Sequence, residues 1–234
     1  MLRKTIKIID KGVDRVVIII SLIFFLICFY AMFDAVKVYY GASDSSVLKF
    51  KPQGKEDAAV MREISDDVVA WLTVDGTSVD YPVMQGENNS EYINKDPYGD
   101  YSLSGSIFLD SRCDSSFHGE YSLLYGHHME YGAMFGALDE FIEPGYFQSH
   151  KTGKLITTQG EEYTITFFSA MKAQATDKII FDPTNTTVTM LLTYLKSNAK
   201  IYEQPAEQQP KIIALSTCQS AETIERMLVF GVLS

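Results

Sequence analysis

The chain opens on its strongest pattern, a run from Val16 to Phe33 (VVIIISLIFFLICFYAMF) of 18 residues without a charge. At about 1.5 Å rise per residue such a run is just long enough for a helix to cross about 30 Å of hydrocarbon. Tyr30, Tyr39 and Tyr40 extend it with side chains suited to a membrane interface. The run is apolar on every side, unlike a core helix, and no small-x-small site follows it, as one would after a signal peptide. The pattern predicts a single uncleaved transmembrane helix over 16–33, with a basic tail over 1–15 before it and a mixed, polar membrane-proximal stalk or helix over 34–55 after it. From Glu56 to Leu72 the spacing turns helical, with Ala59, Val60, Ile64, Val68 and Trp71 near one face, and predicts one or two short helices with Trp71 as a packing anchor.

Beyond Trp71 the period drops to two. WLTV and VDYPVM flank Asp75-Gly76, which predicts a hairpin, and Pro82 marks an edge or irregular strand. SIFLD, Tyr121 to Tyr125, Lys154 to Thr158, Glu162 to Lys172, Lys211 to Thr217 and Arg226 to Leu233 complete seven or eight strands, enough for a closed barrel or a sandwich. Between Phe181 and Lys200, Met190, Leu191, Tyr194 and Leu195 follow cap-capable residues and predict one helix inserted late in a mainly β domain spanning 56–234. The 14 Tyr and 14 Phe suit such a strand-rich core.

Charge orients this picture. Arg3, Lys4, Lys7, Lys11 and Arg15 outweigh Asp10 and Asp14 before the apolar run, whereas the whole chain carries a net charge of -10. Basic residues stay on the cytoplasmic side, so residues 1–15 are expected inside and the domain after the span outside the cell membrane. The acidic remainder excludes a nucleic-acid partner, which would need clustered Lys and Arg.

The chemistry has few local sources. No glycine-rich phosphate loop, HExxH or Cys-x-x-Cys motif occurs, so neither a cofactor nor a bound metal is expected. Of the three cysteines, Cys28 falls in the span, which leaves Cys113 and Cys218 in the domain and no disulfide framework. Cys218 ends the apolar strand KIIALST, where polar Gln219, Ser220 and Glu222 follow; a thiol there is either a small packing residue or a nucleophile. Two features favour the nucleophile: YSLLY ends in Gly126-His127-His128, and Arg226 opens the strand after the cysteine. An imidazole can activate a thiol, and a guanidinium can stabilise a tetrahedral intermediate.

LSTC at 215–218, Arg226 eight residues later and YGHHM at 125–129 resemble the signature of the sortase family. AWLTVDGTSVDYPVMQ at 70–85, NNSEYIN at 88–94 and GSIFLDSR at 105–112 resemble its class B members in order and spacing. The resemblance implies an eight-stranded β-barrel with N-terminal helices. It also implies a transpeptidase that cleaves the C-terminal sorting signal of secreted proteins and transfers the acyl group to an amine of peptidoglycan or its lipid-linked precursor. Carried over residue by residue, Cys218 matches the nucleophile, His127 the acid/base and Arg226 the stabilising arginine, while Ser216, Asn89, Thr176 and Tyr125 match the substrate groove. Cys113 stands where the family often has Asn and reads as a packing or simply exposed thiol; His128 reads as a neighbour, and His118 and His150 as solvated. Two other readings stay open: a cysteine hydrolase with the same site, and a non-enzymatic surface module.

Overall fold

The computed structural model describes residues 2–42, 45–218 and 225–234, with side chains at 11–37, 46–217 and 225–234. The chain divides into two compact units, Met1–Gly41 and Ala42–Ser234.

The first unit is one helix, α1 (Leu2–Ala42). Within it Lys11–Lys37 has a mean hydropathy of 3.0 and no buried side chain, so this helix is long and apolar enough to cross a membrane. The helix runs past 16–33 at both ends, because hydrophobicity sets what faces lipid and not where helical geometry stops.

In the second unit the segment from Ser45 is not a free stalk. A 3-10 turn at Ser45–Phe50 brings Val47 into a buried cluster with Met61, Trp71 and Met84, and Lys51 pairs with Asp80 at 2.7 Å. The helical expectation over 56–72 is met only in part. A 3-10 helix covers Lys55–Glu63, after which the chain extends from Val68, with Ala70, Leu72 and Val74 alternating onto the main core. Trp71 is buried and donates from Nε1 to Asp80 Oδ1 at 2.7 Å, an anchor as expected.

The strands are β1 (Val68–Val74), β2 (Asp80–Met84), β3 (Ile107–Leu109), β4 (Tyr121–His127), β5 (Thr152–Thr157), β6 (Glu162–Gln174), β7 (Ile201–Tyr202), β8 (Lys211–Cys218) and β9 (Glu225–Leu233). Among the described residues, β5-β1-β2-β3-β4-β8-β9-β6 form a ring of eight closed by the β5–β6 pairing, with the two-residue β7 appended to β6. The β1–β2 hairpin turns at Gly76, whose φ of +75° is one that glycine adopts freely. Pro82 lies inside the ring and not at an edge; it is tolerated because pairing of β2 with β3 begins only at Val83.

The barrel interior holds Leu72, Val83, Leu124, Phe167, Ile213, Leu215 and Val229. A second cluster, on the opposite face of β8 and β9, contains Ile212, Ala214, Leu228 and Phe230. Helix α4 (Val188–Asn198) covers it with Val188, Leu191 and Leu195, spaced along one face, and is capped by Thr187, whose Oγ1 accepts from Met190 N. Two shorter helices, α2 (Pro144–Ser149) and α3 (Lys178–Phe181), precede it. Because β8 is buried on both faces, its sequence reads as one apolar run up to Ser216.

Candidate active site

The site forms where β4, β8 and β9 end side by side. Strands β4 and β8 are parallel with His127 opposite Cys218, and β8 and β9 are antiparallel with Cys218 opposite Arg226. The register therefore puts position 218 between His127 and Arg226 in adjacent strands. On one face β4 presents Tyr121, Leu123, Tyr125 and His127, and β9 presents Arg226, Leu228 and Phe230. Position 218 is the next in the series 212, 214, 216 on that face of β8. The side chain of Cys218 and the polar residues 219–222 lie outside the described residues.

Local sequence explains the placement of the imidazole. A Cβ at Gly126 would come within 2.4 Å of Ile107 and 2.7 Å of Phe135, so only glycine lets the strand end pack this closely. His127 Nε2 lies 2.6 Å from the carbonyl oxygen of Ile93. A carbonyl only accepts, so Nε2 carries the hydrogen and Nδ1 is left for proton exchange. That carbonyl is itself held tightly. Gly105 sits against it at φ +57°, where an added Cβ would meet Ile93 O at 2.2 Å.

A cavity of about 320 Å³ opens at this end, with Asn89, Ile93, Tyr125, His127, Phe181 and Arg226 in its wall. Arg226 lies over two rings, its Cζ 5.9 Å from the centroid of Tyr125 and 5.6 Å from that of Phe181. The rings are nearly parallel, at 13° and 6.5 Å apart. Among the described residues, Arg226 Nε is buried without an acceptor. Burial, and then the charge of Asp110, push the Tyr125 phenol well above its ordinary value; it stays neutral and donates to Asp110 Oδ2 at 3.0 Å.

Of the residues expected from sequence, His127, Arg226, Asn89 and Tyr125 meet at this cavity. Ser216 does not reach it. It has no exposed surface, its Cα partners are Tyr125 and Leu228, and it lies roughly 7 Å inward along the strand from position 218. Thr176 is exposed in the turn after β6, and its neighbour Ala175 lines the cavity instead. His128 pairs with Asp139 at 2.8 Å. Cys113 is half-buried between the two clusters, and burial pushes its thiol up to about 11. His118 is held in the exposed loop by Glu161, whereas His150, expected in solvent, stacks on Tyr146 at 3.8 Å. Sequence reasoning missed Ile93, whose contribution is a backbone atom, and Phe181, whose aromatic character alone gives no sign of its partner.

The sortase domain model matches residues 72–234. The chain belongs to the sortase family, transpeptidases that anchor or polymerise surface proteins. Its relatives are class B members. It is 30% identical over 174 residues to Sortase B of Staphylococcus aureus, covering 72% of this chain and 71% of that protein. A crystallised Streptococcus pyogenes class B sortase involved in pilus biogenesis shares 39% identity at a TM-score of 0.69, over 74% of this chain and 96% of its own. The Staphylococcus aureus sortase B–substrate complex shares 27% identity at a TM-score of 0.70, over 80% and 89%.

Proposed function

We propose that this enzyme cleaves a sorting signal on a secreted protein through a thioester at Cys218 and transfers the acyl group to a primary amine. The observation that carries the reading is the register of His127, Cys218 and Arg226 across three neighbouring strand ends. The Cys218 thiolate attacks the scissile carbonyl, and the oxyanion forms beside the Arg226 guanidinium. The carbon–nitrogen bond breaks as His127, protonated at Nδ1, gives its proton to the departing amine. The incoming amine then attacks the thioester, loses a proton to the neutral imidazole, and releases the thiolate. Asn89 and Tyr125 line the groove that receives the signal.

Helix α1 serves as the anchor, with the basic tail in the cytoplasm and the barrel on the outer side, where sorting signals and wall amines are found. The acceptor is an amine of peptidoglycan or its lipid-linked precursor. A second acceptor, an amine on a pilin-like protein, is favoured by the 39% identity to the pilus enzyme against 27% to the Staphylococcus aureus complex.

The test is a mass-spectrometric assay of the full chain in detergent with sorting-signal peptides and candidate amines. Ligated product in excess over hydrolysed product supports the transferase. Hydrolysis alone, with every amine, would make the protein a cysteine hydrolase, because the two differ only in how water is kept from the thioester. No cleavage of any signal peptide would favour a non-enzymatic role.

A further inference from the structure

Directly after β3 a carboxylate that the mechanism does not use sits with no exposed surface: Asp110. Its Oδ1 accepts from the backbone N of Arg112 at 3.0 Å and from Arg112 Nε at 2.9 Å. Its Oδ2 accepts from Arg112 Nη2 at 2.7 Å, Asn89 Nδ2 at 2.8 Å and Tyr125 OH at 3.0 Å. Burial raises the carboxyl's pKa, but the hydrogen bonds from Arg112 and Tyr125 outweigh it and hold the group below its ordinary value, ionised at neutral pH.

The donors have a common destination. Asn89 and Tyr125 are themselves wall residues of the cavity. Arg112 passes the connection on, because its Nη2 also donates to the carbonyl of Phe181 at 2.8 Å, and Phe181 supplies the second ring against Arg226. One buried charge thus holds the Tyr125 hydroxyl and, through Arg112, the backbone of Phe181, the two residues whose rings Arg226 lies over. Removing a carboxylate from water is costly, and a buried ion pair replaced whole by packed apolar side chains often leaves a protein no less stable. A rim position with one rigid orientation is what such a network provides.

We propose that Asp110 is a positioning residue: by holding Tyr125 directly and Phe181 through Arg112, it sets the direction in which Arg226 presents its guanidinium to the reacting carbonyl. The inference rests on the reading of Arg226 as the oxyanion donor. Its effect should fall on turnover, since the ground-state peptide binds along a wider surface than one guanidinium.

The test is a double-mutant cycle with the full chain in detergent, measuring kcat and KM for a sorting-signal peptide with an amine acceptor. Asp110→Asn should lower kcat by about ten- to a hundredfold and change KM by less than about threefold. In an Arg226→Lys background the same substitution should cost less than about twofold, because the group it aims is already gone. Equal losses in both backgrounds, or unchanged kcat in Asp110→Asn, would overturn the proposal while leaving Arg226 in place. Wild-type turnover in Arg226→Lys would show that charge alone suffices without an aimed guanidinium and would also overturn the proposal, whereas wild-type turnover in Arg226→Ala would instead remove the underlying reading. Should Asp110→Asn fail to fold, as judged by circular dichroism, Tyr125→Phe carries the cycle: it keeps the ring and deletes only the bond to Asp110. Non-additivity with Arg226→Lys supports the proposal there, and additivity sinks it.

Discussion

His127 and Cys218 stand opposite each other as Cα partners in a parallel strand pair, with Arg226 opposite Cys218 on the other side. Directly opposed residues in adjacent strands lie about 5 Å apart at Cα, the separation of neighbouring strands. The backbone ladder itself therefore brings the three positions together, and no loop has to close to assemble them.

The two thiols of the barrel unit should separate cleanly. Cys218→Ala is expected to abolish cleavage and transfer with the fold intact, and Cys113→Ala to retain most activity. Alkylation by iodoacetamide at pH 8, mapped by peptide mass spectrometry, should mark Cys218 well before Cys113. With its thiol pushed up to about 11, Cys113 is only about one part in a thousand thiolate at that pH, and its labelling should rise about tenfold per pH unit below that value. Equal loss of activity in both alanine variants would mean that the thiols work together.

His127→Ala should be inactive and His128→Ala only impaired. The first loses the ring held by Ile93 O, and the second loses a partly exposed ion pair with Asp139, a contact that contributes about 0 to 1 kcal/mol. An inactive His128 variant beside an active His127 variant would reassign the acid/base.

Gly105 tests the support of that ring. Gly105→Ala places a Cβ against Ile93 O at a positive φ and should cost about 1 to 3 kcal/mol of stability, with turnover falling as the carbonyl shifts. Gly119→Ala, where the nearest atom is 3.8 Å from the built Cβ, is the control and should melt like the parent. The measurements are a thermal melt and kcat; identical melting of the two variants would remove Gly105 from the account.

Arg226→Ala and Arg226→Lys should each lose at least about a hundredfold in turnover, the lower end of the cost of removing an oxyanion donor. Lysine keeps the charge but not the planar fork that lies over Tyr125 and Phe181. Melting should move little, and near-normal turnover in Arg226→Ala would take the residue out of the mechanism.

The proposed topology, basic tail inside and barrel outside, is checked on cells stripped of their wall. Added protease should digest the barrel unit and spare the basic tail, whereas a fully protected barrel would reverse the orientation.

Much of the site could be read from the sequence, because Cys218, His127 and Arg226 end or begin apolar strands and carry reactive groups where alternation stops. The barrel's strand order could not, since β4 and β8 are neighbours only through pairings that span the chain, and local periodicity carries no partner information. The same limit explains Ser216, which motif position assigns to the groove; it shares the face of position 218 but lies one pleat repeat further in, between Tyr125 and Leu228, where it is buried. The stretch over 56–72 misled for another reason: Val68 and Trp71, three apart, share one side as they would on a helix, but they do so because β1 shifts register between Val68 and Ala70 in its pairing with β2. Asp110 left one legible trace, a charge directly behind the wholly apolar strand Ile107–Leu109.

Strand β9 runs between β8 and β6 and supplies Arg226. Of the ring strands, it is the last in chain order. Until it seats, the sheet has two open edges and position 218 has a neighbour on one side only. The pairings of β9 with β8 and β6 are thus what completes both the ring and the neighbourhood of position 218. The proposed site is therefore complete only once the ring has closed.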